Sequence, residues 1–452
     1  MNERLKKIGI ELSPIHKVVI SFMTLILAGA LLLILPVSST GGVSFVDALF
    51  TSTSAVCVTG LTVLDTAKDF TFFGQLVIIM LIQFGGLGIM TFSISIIALL
   101  GGNYSIKWRI TLESFYNEIK ILSMKSILKR IIMYTFSIEL GIAGILFTQF
   151  YGKFDFKTAV WHSIFHSVSS FCNAGFSTFS DNIVGYYDNS IVILALSASI
   201  IMGGLGFFVL SELFNYRHIK KKKTAVRLSL HTRIVLITTI ALLFLGTAGF
   251  LVLEWNFVVK DFSLKAKILT AFFHSTSCRT AGFNSIDVGA LRESTLLMMT
   301  ALMFIGGSPG SIAGGIKTTT LTVLLGMLVT KFSGKRQVLF WNRALDPDTT
   351  EKAATLFILS GIFVYFSTFF LLAIDAFDLG TGLSSALFEV TSAFGTVGLS
   401  TGITPKLLTE GKLLIVLVMF IGRLGPLSLI TALTINKKEV PIEYSEEHVM
   451  IG

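Results

Sequence analysis

Long apolar stretches alternate along this chain with short polar ones. They run Val18–Leu35, Phe72–Leu100, Ile131–Phe150, Ser190–Leu213, Ile234–Leu253, Leu296–Met327, Leu356–Ile374 and Leu413–Leu433. Each has about 18 residues or more, enough to cross a hydrocarbon core of about 30 Å as a helix. The pattern predicts eight crossings. Within each successive pair lies a shorter amphipathic segment, such as Ser44–Ser54 or Leu383–Ser392. Ten or eleven residues make a helix of only about 16 Å, roughly half a membrane. Such a segment must enter and return, with its non-helical continuation shielded inside protein.

The same phrase follows each short segment: FTSTSAVCVTGL at Phe50–Leu61, FHSVSSFCNAGF at Phe165–Phe176, FFHSTSCRTAGF at Phe272–Phe283 and FEVTSAFGTVGL at Phe388–Leu399. Their glycines, Gly60, Gly175, Gly282 and Gly398, are 115, 107 and 116 residues apart. A second glycine phrase begins at Gly85, Gly203, Gly306 and Gly422, at offsets of 25, 28, 24 and 24 residues from the first. The chain therefore reads as four units, 1–105, 106–220, 221–335 and 336–452, each helix, re-entrant half-helix, glycine loop, helix. The expected fold is all-α and integral to a membrane, with eight transmembrane helices and four half-helices around a central pore. Two crossings per unit make the repeats parallel, whereas an inverted-repeat alternating-access transporter needs an odd number per unit. Four loops around one axis can replace an ion's water shell with backbone carbonyls, and glycine reaches the positive φ such a loop needs. Ser and Thr along the short segments can satisfy neighbouring backbone groups.

Composition agrees. Hydrophobic residues make up 53% of the chain and charged residues only 14%, with a mean hydropathy of +0.79. The basic residues concentrate in the N-terminal tail, Gly101–Arg130, Glu212–Arg233, Lys331–Lys352 and Lys437–Lys438. Cationic loops stay cytoplasmic, so both termini are expected inside and the glycine loops outside. The net charge of +9 then suits anionic lipid or an acidic partner rather than nucleic acid. Cys57, Cys172 and Cys278 have neither metal nor disulfide spacing and read as small packing residues. No phosphate loop, nucleophile elbow or zinc motif points to an enzyme or a resident cofactor.

The phrases TSAVCVTGL, SSFCNAGF, CRTAGFN and SAFGTVGLS, with GGSPGSIAGGIKTTT at Gly306–Thr320, resemble the bacterial Trk/Ktr potassium uptake proteins. These are relatives of the plant high-affinity potassium transporters and of tetrameric potassium channels. The tail PIEYSEEHVMIG at Pro441–Gly452 is most similar to the Ktr branch. The resemblance implies potassium coordination by backbone carbonyls of Cys57, Val58, Thr59 and Gly60; Cys172, Asn173, Ala174 and Gly175; Arg279, Thr280, Ala281 and Gly282; and Gly395, Thr396, Val397 and Gly398. Only Thr396-Val397-Gly398 closely matches the channel phrase Thr-Val-Gly, which suggests fewer or looser ion sites than in a symmetric channel. A serine in place of the first loop glycine goes with sodium transport in plant relatives, so four glycines favour potassium. The resemblance also implies a homodimer, with one pore per chain, on a cytosolic ring of nucleotide-binding regulatory subunits in the bacterial plasma membrane.

Gly306, Gly307, Ser308, Pro309, Gly310, Gly314 and Gly315 crowd together, which breaks the second helix of the third unit before Lys317. In the resembling family the matching stretch is an intramembrane loop beneath the filter, so this segment is expected to be a gate. Arg423 stands where the other units carry Gly86, Gly204 and Gly307, and is expected to face the pore, as an electrostatic barrier or paired with carbonyls of the glycine loop, the alternative being a structural ion pair. Lys317 either pairs with a carboxylate or marks the cytosolic end of the break. Glu389 either adds negative potential near the mouth or is buried and hydrogen-bonded, and His166 and His274 read as hydrogen-bonding residues. The expected function is potassium uptake, with potassium as substrate. The alternatives are a sodium-selective or non-selective pore on the same scaffold and, from another class, an alternating-access transporter.

Overall fold

A computed structural model describes residues 14–100, 124–220, 228–335, 337–379 and 382–425. The cationic segments 101–123 and 221–227, with the first two unit boundaries, and the tail from 426 onward lie outside the described residues. The remainder is helical apart from a two-stranded hairpin, Leu339–Phe340 with Arg343–Ala344. The helices are α1 (Pro14–Ile34), α2 (Phe45–Val56), α3 (Phe72–Leu100), α4 (Met124–Phe150), α5 (Phe156–Phe171), α6 (Ser190–Leu205) and α7 (Phe207–Lys220). They continue with α8 (Leu230–Glu254), α9 (Leu264–Ser277), α10 (Glu293–Phe304), α11 (Thr318–Phe332), α12 (Pro347–Leu379), α13 (Leu383–Gly395) and α14 (Thr409–Leu424).

Among the described residues, Lys129–Phe150, Leu230–Glu254 and Pro347–Ile374 are each long and apolar enough to cross a membrane. Two expected crossings are not single helices. Ser190–Leu213 is broken at Gly206, whose φ is 87°, and α6 meets α7 at 105°. Leu296–Met327 is divided into α10 and α11 by the glycine-rich stretch between them. The outward faces are strongly apolar: Leu140, Val252 and Phe332 are 77%, 80% and 90% exposed. Such a surface is stable against lipid and not against water.

The short helices α2, α5, α9 and α13 have 12, 16, 14 and 13 residues, somewhat longer than the apolar pattern predicts. The extra residues lie at the C-terminal ends, where α2 runs to Val56 and α13 to Gly395, while at the N-termini Ser44, Asp155 and Ser263 accept from the backbone N–H three residues on and fix where the helix starts. Hydrogen bonds from the Thr158 hydroxyl and then its N–H hold the Asp155 carboxyl below the ordinary carboxylate range. Serines tie three of these helices to the preceding long helix. Ser52 Oγ donates to the Ile26 carbonyl at 2.7 Å, Ser167 Oγ to that of Glu139 at 2.5 Å and Ser275 Oγ to that of Leu243 at 2.9 Å.

Each short helix also packs on the helix that closes the preceding unit: α5 on α3, α9 on α6, α13 on α10, and α2 on α14. The last contact joins the end of the described chain to its beginning and closes a ring. Lys412 of α14 reinforces that closure with an ion pair to Asp47 of α2 at 2.7 Å. The second glycine phrase has a packing reason. A methyl group added at Gly85, Gly203 or Gly422 would run into the carbonyl group of Val56, Phe171 or Phe394, the last residue or last-but-one of a short helix. Helix and half-helix touch backbone to backbone there.

This contact predicts that Gly422→Ala, whose methyl would lie 2.7 Å from the Phe394 carbonyl carbon, destabilises the protein by about 1–3 kcal/mol. Gly361→Ala, with open space around it, serves as the control. Thermal unfolding of the detergent-purified protein should show a lowered midpoint for the first variant alone. An unchanged midpoint for Gly422→Ala would contradict the packing argument.

Candidate functional site

The four short helices end at one place. A methyl group built on Gly60 would stand 3.1 Å from Gly175 Cα, one on Gly175 would stand 2.9 Å from Gly282 Cα, and one on Gly282 would stand 3.1 Å from Gly398 Cα. One on Gly398 would stand 2.9 Å from Gly60 Cα, which completes the circuit. The carbonyl oxygens of Ala174, Ala281, Val397 and Thr59 border the same four glycines. The sixteen sequence-predicted loop residues, from Cys57–Gly60, Cys172–Gly175, Arg279–Gly282 and Gly395–Gly398, are thus brought together, and all but the half-buried Gly398 are buried.

All four glycines have positive φ, at 94°, 69°, 73° and 95°. Two residues earlier, Val58, Asn173, Thr280 and Thr396 are left-handed as well, with φ of 54°, 57°, 69° and 50°. Residue type gave no signal for three of these, since β-branched residues avoid this region; only Asn173 is of a kind that tolerates it. Each such residue costs on the order of 1–3 kcal/mol and persists only where its surroundings over-determine it.

Those surroundings are the helix ends. The N–H of Thr59 donates to the Ser54 carbonyl at 2.7 Å, that of Ala174 to Ser169 at 2.7 Å, that of Ala281 to Ser277 at 2.9 Å and that of Val397 to Ser392 at 2.8 Å. The N–H groups of Gly60 and Gly398 donate to the hydroxyls of Ser54 and Ser392, both at 3.0 Å. Ser169 and Ser277 turn their hydroxyls to the carbonyls of Phe176 and Phe283 beyond the glycine. At least two N–H groups of each loop are therefore bonded back to the helix end. Among the described residues, the carbonyls of 58–60, 173–175, 280–282 and 396–398 accept no hydrogen bond, except that Asn182 Nδ2 donates to Gly175 at 3.3 Å.

The predicted break between α10 and α11 is a folded loop lying against these residues. Gly306 approaches Thr280, while Gly314 and Gly315 approach Gly395 and Thr396. Ser308 N–H donates to the Gly204 carbonyl at 3.0 Å, and Phe207 N–H donates to the Gly310 carbonyl at 3.1 Å. Gly307 accepts from Thr318 N–H at 3.0 Å, and Pro309 borders Gly206. The loop thereby contacts residues from several units at once.

Arg423 is 6% exposed, and its guanidinium donates to the Ile312 carbonyl of that loop and, at 3.3 Å, to the Gly85 carbonyl. Pairing with loop carbonyls is the arrangement present. Lys317 stands where the loop ends and α11 begins, and its Nζ donates to the Ala313 carbonyl at 2.6 Å, fastening the loop to itself rather than pairing with a carboxylate among the described residues. Glu389 is fully buried and accepts from Ser400 Oγ at 2.9 Å and from Thr404 Oγ1, which pins the segment after Gly398. His166 is held by His162 and Ser177, and His274 Nε2 accepts from Ser285 N–H, so both are hydrogen-bonded. Cys57, Cys172 and Cys278 are buried free thiols.

Known proteins place this architecture. Residues 12–441 match the TrkH family model, described as a cation transport protein. The Ktr system potassium uptake protein B of Bacillus subtilis is 36% identical, covering 98% of both chains. The potassium/sodium uptake protein NtpJ of Enterococcus hirae is 38% identical over 100% of this chain and 99% of its own. The crystal structure of the potassium transporter TrkH from Vibrio parahaemolyticus shares the fold, with a TM-score of 0.74 at 20% identity over 94% of this chain and 85% of that one. These relatives are ion transporters and not enzymes, and the chain belongs to the TrkH family of membrane cation transport proteins.

Proposed function

We propose that this chain takes up potassium through the ring of four glycine loops, with the loop between α10 and α11 as its gate. The observation that carries the reading is the set of buried backbone carbonyls without hydrogen-bond partners at the meeting point of four helix C-termini. Buried carbonyls normally find a partner, and a dehydrated cation is one. A left-handed residue at every second position turns successive carbonyls of a loop to one side. The helix C-termini add partial negative charge directed at the same point. The expected substrate is potassium because relatives along the whole chain are named potassium uptake proteins. A second reading, sodium carried alongside potassium, is favoured by the name of NtpJ and by loops that depart from Thr-Val-Gly in three of four units.

The gate reading rests on the loop's position against Thr280, Gly395 and Thr396 and on the two carbonyl bonds of Arg423. A fixed cation there opposes the passage of a cation, and it also staples the loop in place. The basic cytoplasmic segments suit docking on a regulatory ring, and the apolar flanks suit a homodimer with one pore in each chain. Both termini would lie on the cytoplasmic side of the bacterial plasma membrane, by the distribution of Lys and Arg.

Rescue of a potassium-uptake-deficient bacterium at low potassium tests the filter. A side chain on Gly398 would strike the backbone of Gly60 and Thr59, so Gly398→Ser should reduce potassium over sodium discrimination about tenfold or more, as expected for ~1–3 kcal/mol of misfit. Wild-type selectivity in that variant, and in Gly60→Ser, Gly175→Ser and Gly282→Ser, would reject the filter. For the gate, Arg423→Ala and deletion within 307–315 should each raise potassium flux per molecule at equal expression. Variants with unchanged flux, or with lowered protein yield alone, would show the loop to be structural.

A further inference from the structure

The loop of the third unit differs from the others in carrying an arginine, Arg279, where they have Cys57, Cys172 and Gly395. Arg279 is 7% exposed, and its Nε is buried without a hydrogen-bond partner. Among the described residues no carboxylate lies within ion-pair distance of it. Arg423 answers the same problem with two carbonyls; among the described residues the Arg279 side chain has no such bond. An isolated guanidinium at this depth is expensive unless something neutralises it. The C-terminus of α9 just before it supplies roughly half a negative charge, which leaves the rest uncompensated.

Arg279 borders a small cavity walled by Ile200 and Gly204 of α6, by Thr239 and Leu243 of α8, and by Thr276 of α9. The centre of a water-sized sphere has about 10 Å³ to move in there, which is room for about one small particle. Its polar inventory is one-sided. Thr239 is 4% exposed and its hydroxyl is a second buried group without a partner, whereas the Thr276 hydroxyl is already spent on the Phe272 carbonyl at 2.9 Å. The lining holds donors, aliphatic walls and no acidic side chain. Donors select an anion, the space selects a monatomic one, and apolar walls favour a weakly hydrated one.

We propose that this cavity is a halide site, taking chloride in the cell, with the guanidinium of Arg279 and the hydroxyl of Thr239 as its ligands. The bound anion offsets the positive charge of Arg279 beside loop residues 279–282. The inference stands on Arg279, Thr239 and the cavity, independently of which cation the chain carries.

Crystals of the full-length protein grown in bromide salt, measured at the bromine absorption edge, test this directly. The expected result is an anomalous peak within about 3.5 Å of the Arg279 guanidinium. The peak should be weakened in Thr239→Val and absent in Arg279→Gln. A cavity that is empty or holds only water, or bromide found only on the surface as an adventitious ion, would overturn the proposal. So would a cavity peak of full strength in Thr239→Val, a variant that keeps its fold even if Arg279→Gln does not.

Discussion

Backbone groups buried in an apolar medium must be satisfied, and the structure is organised around a place where the acceptors alone are left over. At the four loop ends, N–H groups are taken up by the carbonyls of Ser54, Ser169, Ser277 and Ser392 and, in the first and fourth loops, by the hydroxyls of Ser54 and Ser392, while among the described residues the carbonyls that follow, Gly175 apart, accept no hydrogen bond. The arrangement is unfavourable in isolation. In the proposed reading a desolvated cation at the centre would offset that cost, so that a local defect of folding would be the basis of recognition.

The demands on the rest of the fold follow from that centre. Four loops can share it only if nothing larger than hydrogen stands between them, which is why each glycine abuts the next around the circuit. The short helices can converge there only if the helices behind them come equally close, which the backbone contacts at Gly85, Gly203 and Gly422 allow. The left-handed conformations of Val58, Thr280 and Thr396 are held by these contacts and by the serine bonds. Beneath the ring, the third unit forgoes a continuous helix and supplies a loop that Arg423 and Lys317 fix through its own carbonyls.

Much of this was legible in the residues. The apolar pattern, the recurring phrase and the density of glycine around Pro309 located the long helices, the loops and the break between α10 and α11, because each reflects a local requirement of bilayer or backbone. The bend at Gly206 was not legible: Gly203, Gly204 and Gly206 in an apolar run permit a turn of 105° but do not demand it, and Gly206 packs against the loop at Pro309 and Gly310. The left-handed Val58 and Thr396 were hidden for the same reason, since tertiary packing overrides the preference of the residue. The acceptors met by Arg423 and Lys317 depend on distances across the fold, and the sequence offered only alternatives. Asn182, which reaches back to the Gly175 carbonyl, carried no signal at all.

The central claim is that the four carbonyl rows embrace a dehydrated cation. Anomalous diffraction from crystals of the protein in rubidium, an ion that mimics potassium, tests it most directly. The account predicts one or more rubidium peaks on the axis enclosed by Gly60, Gly175, Gly282 and Gly398, lost when sodium replaces rubidium. Rubidium bound elsewhere, with nothing on that axis, would contradict it.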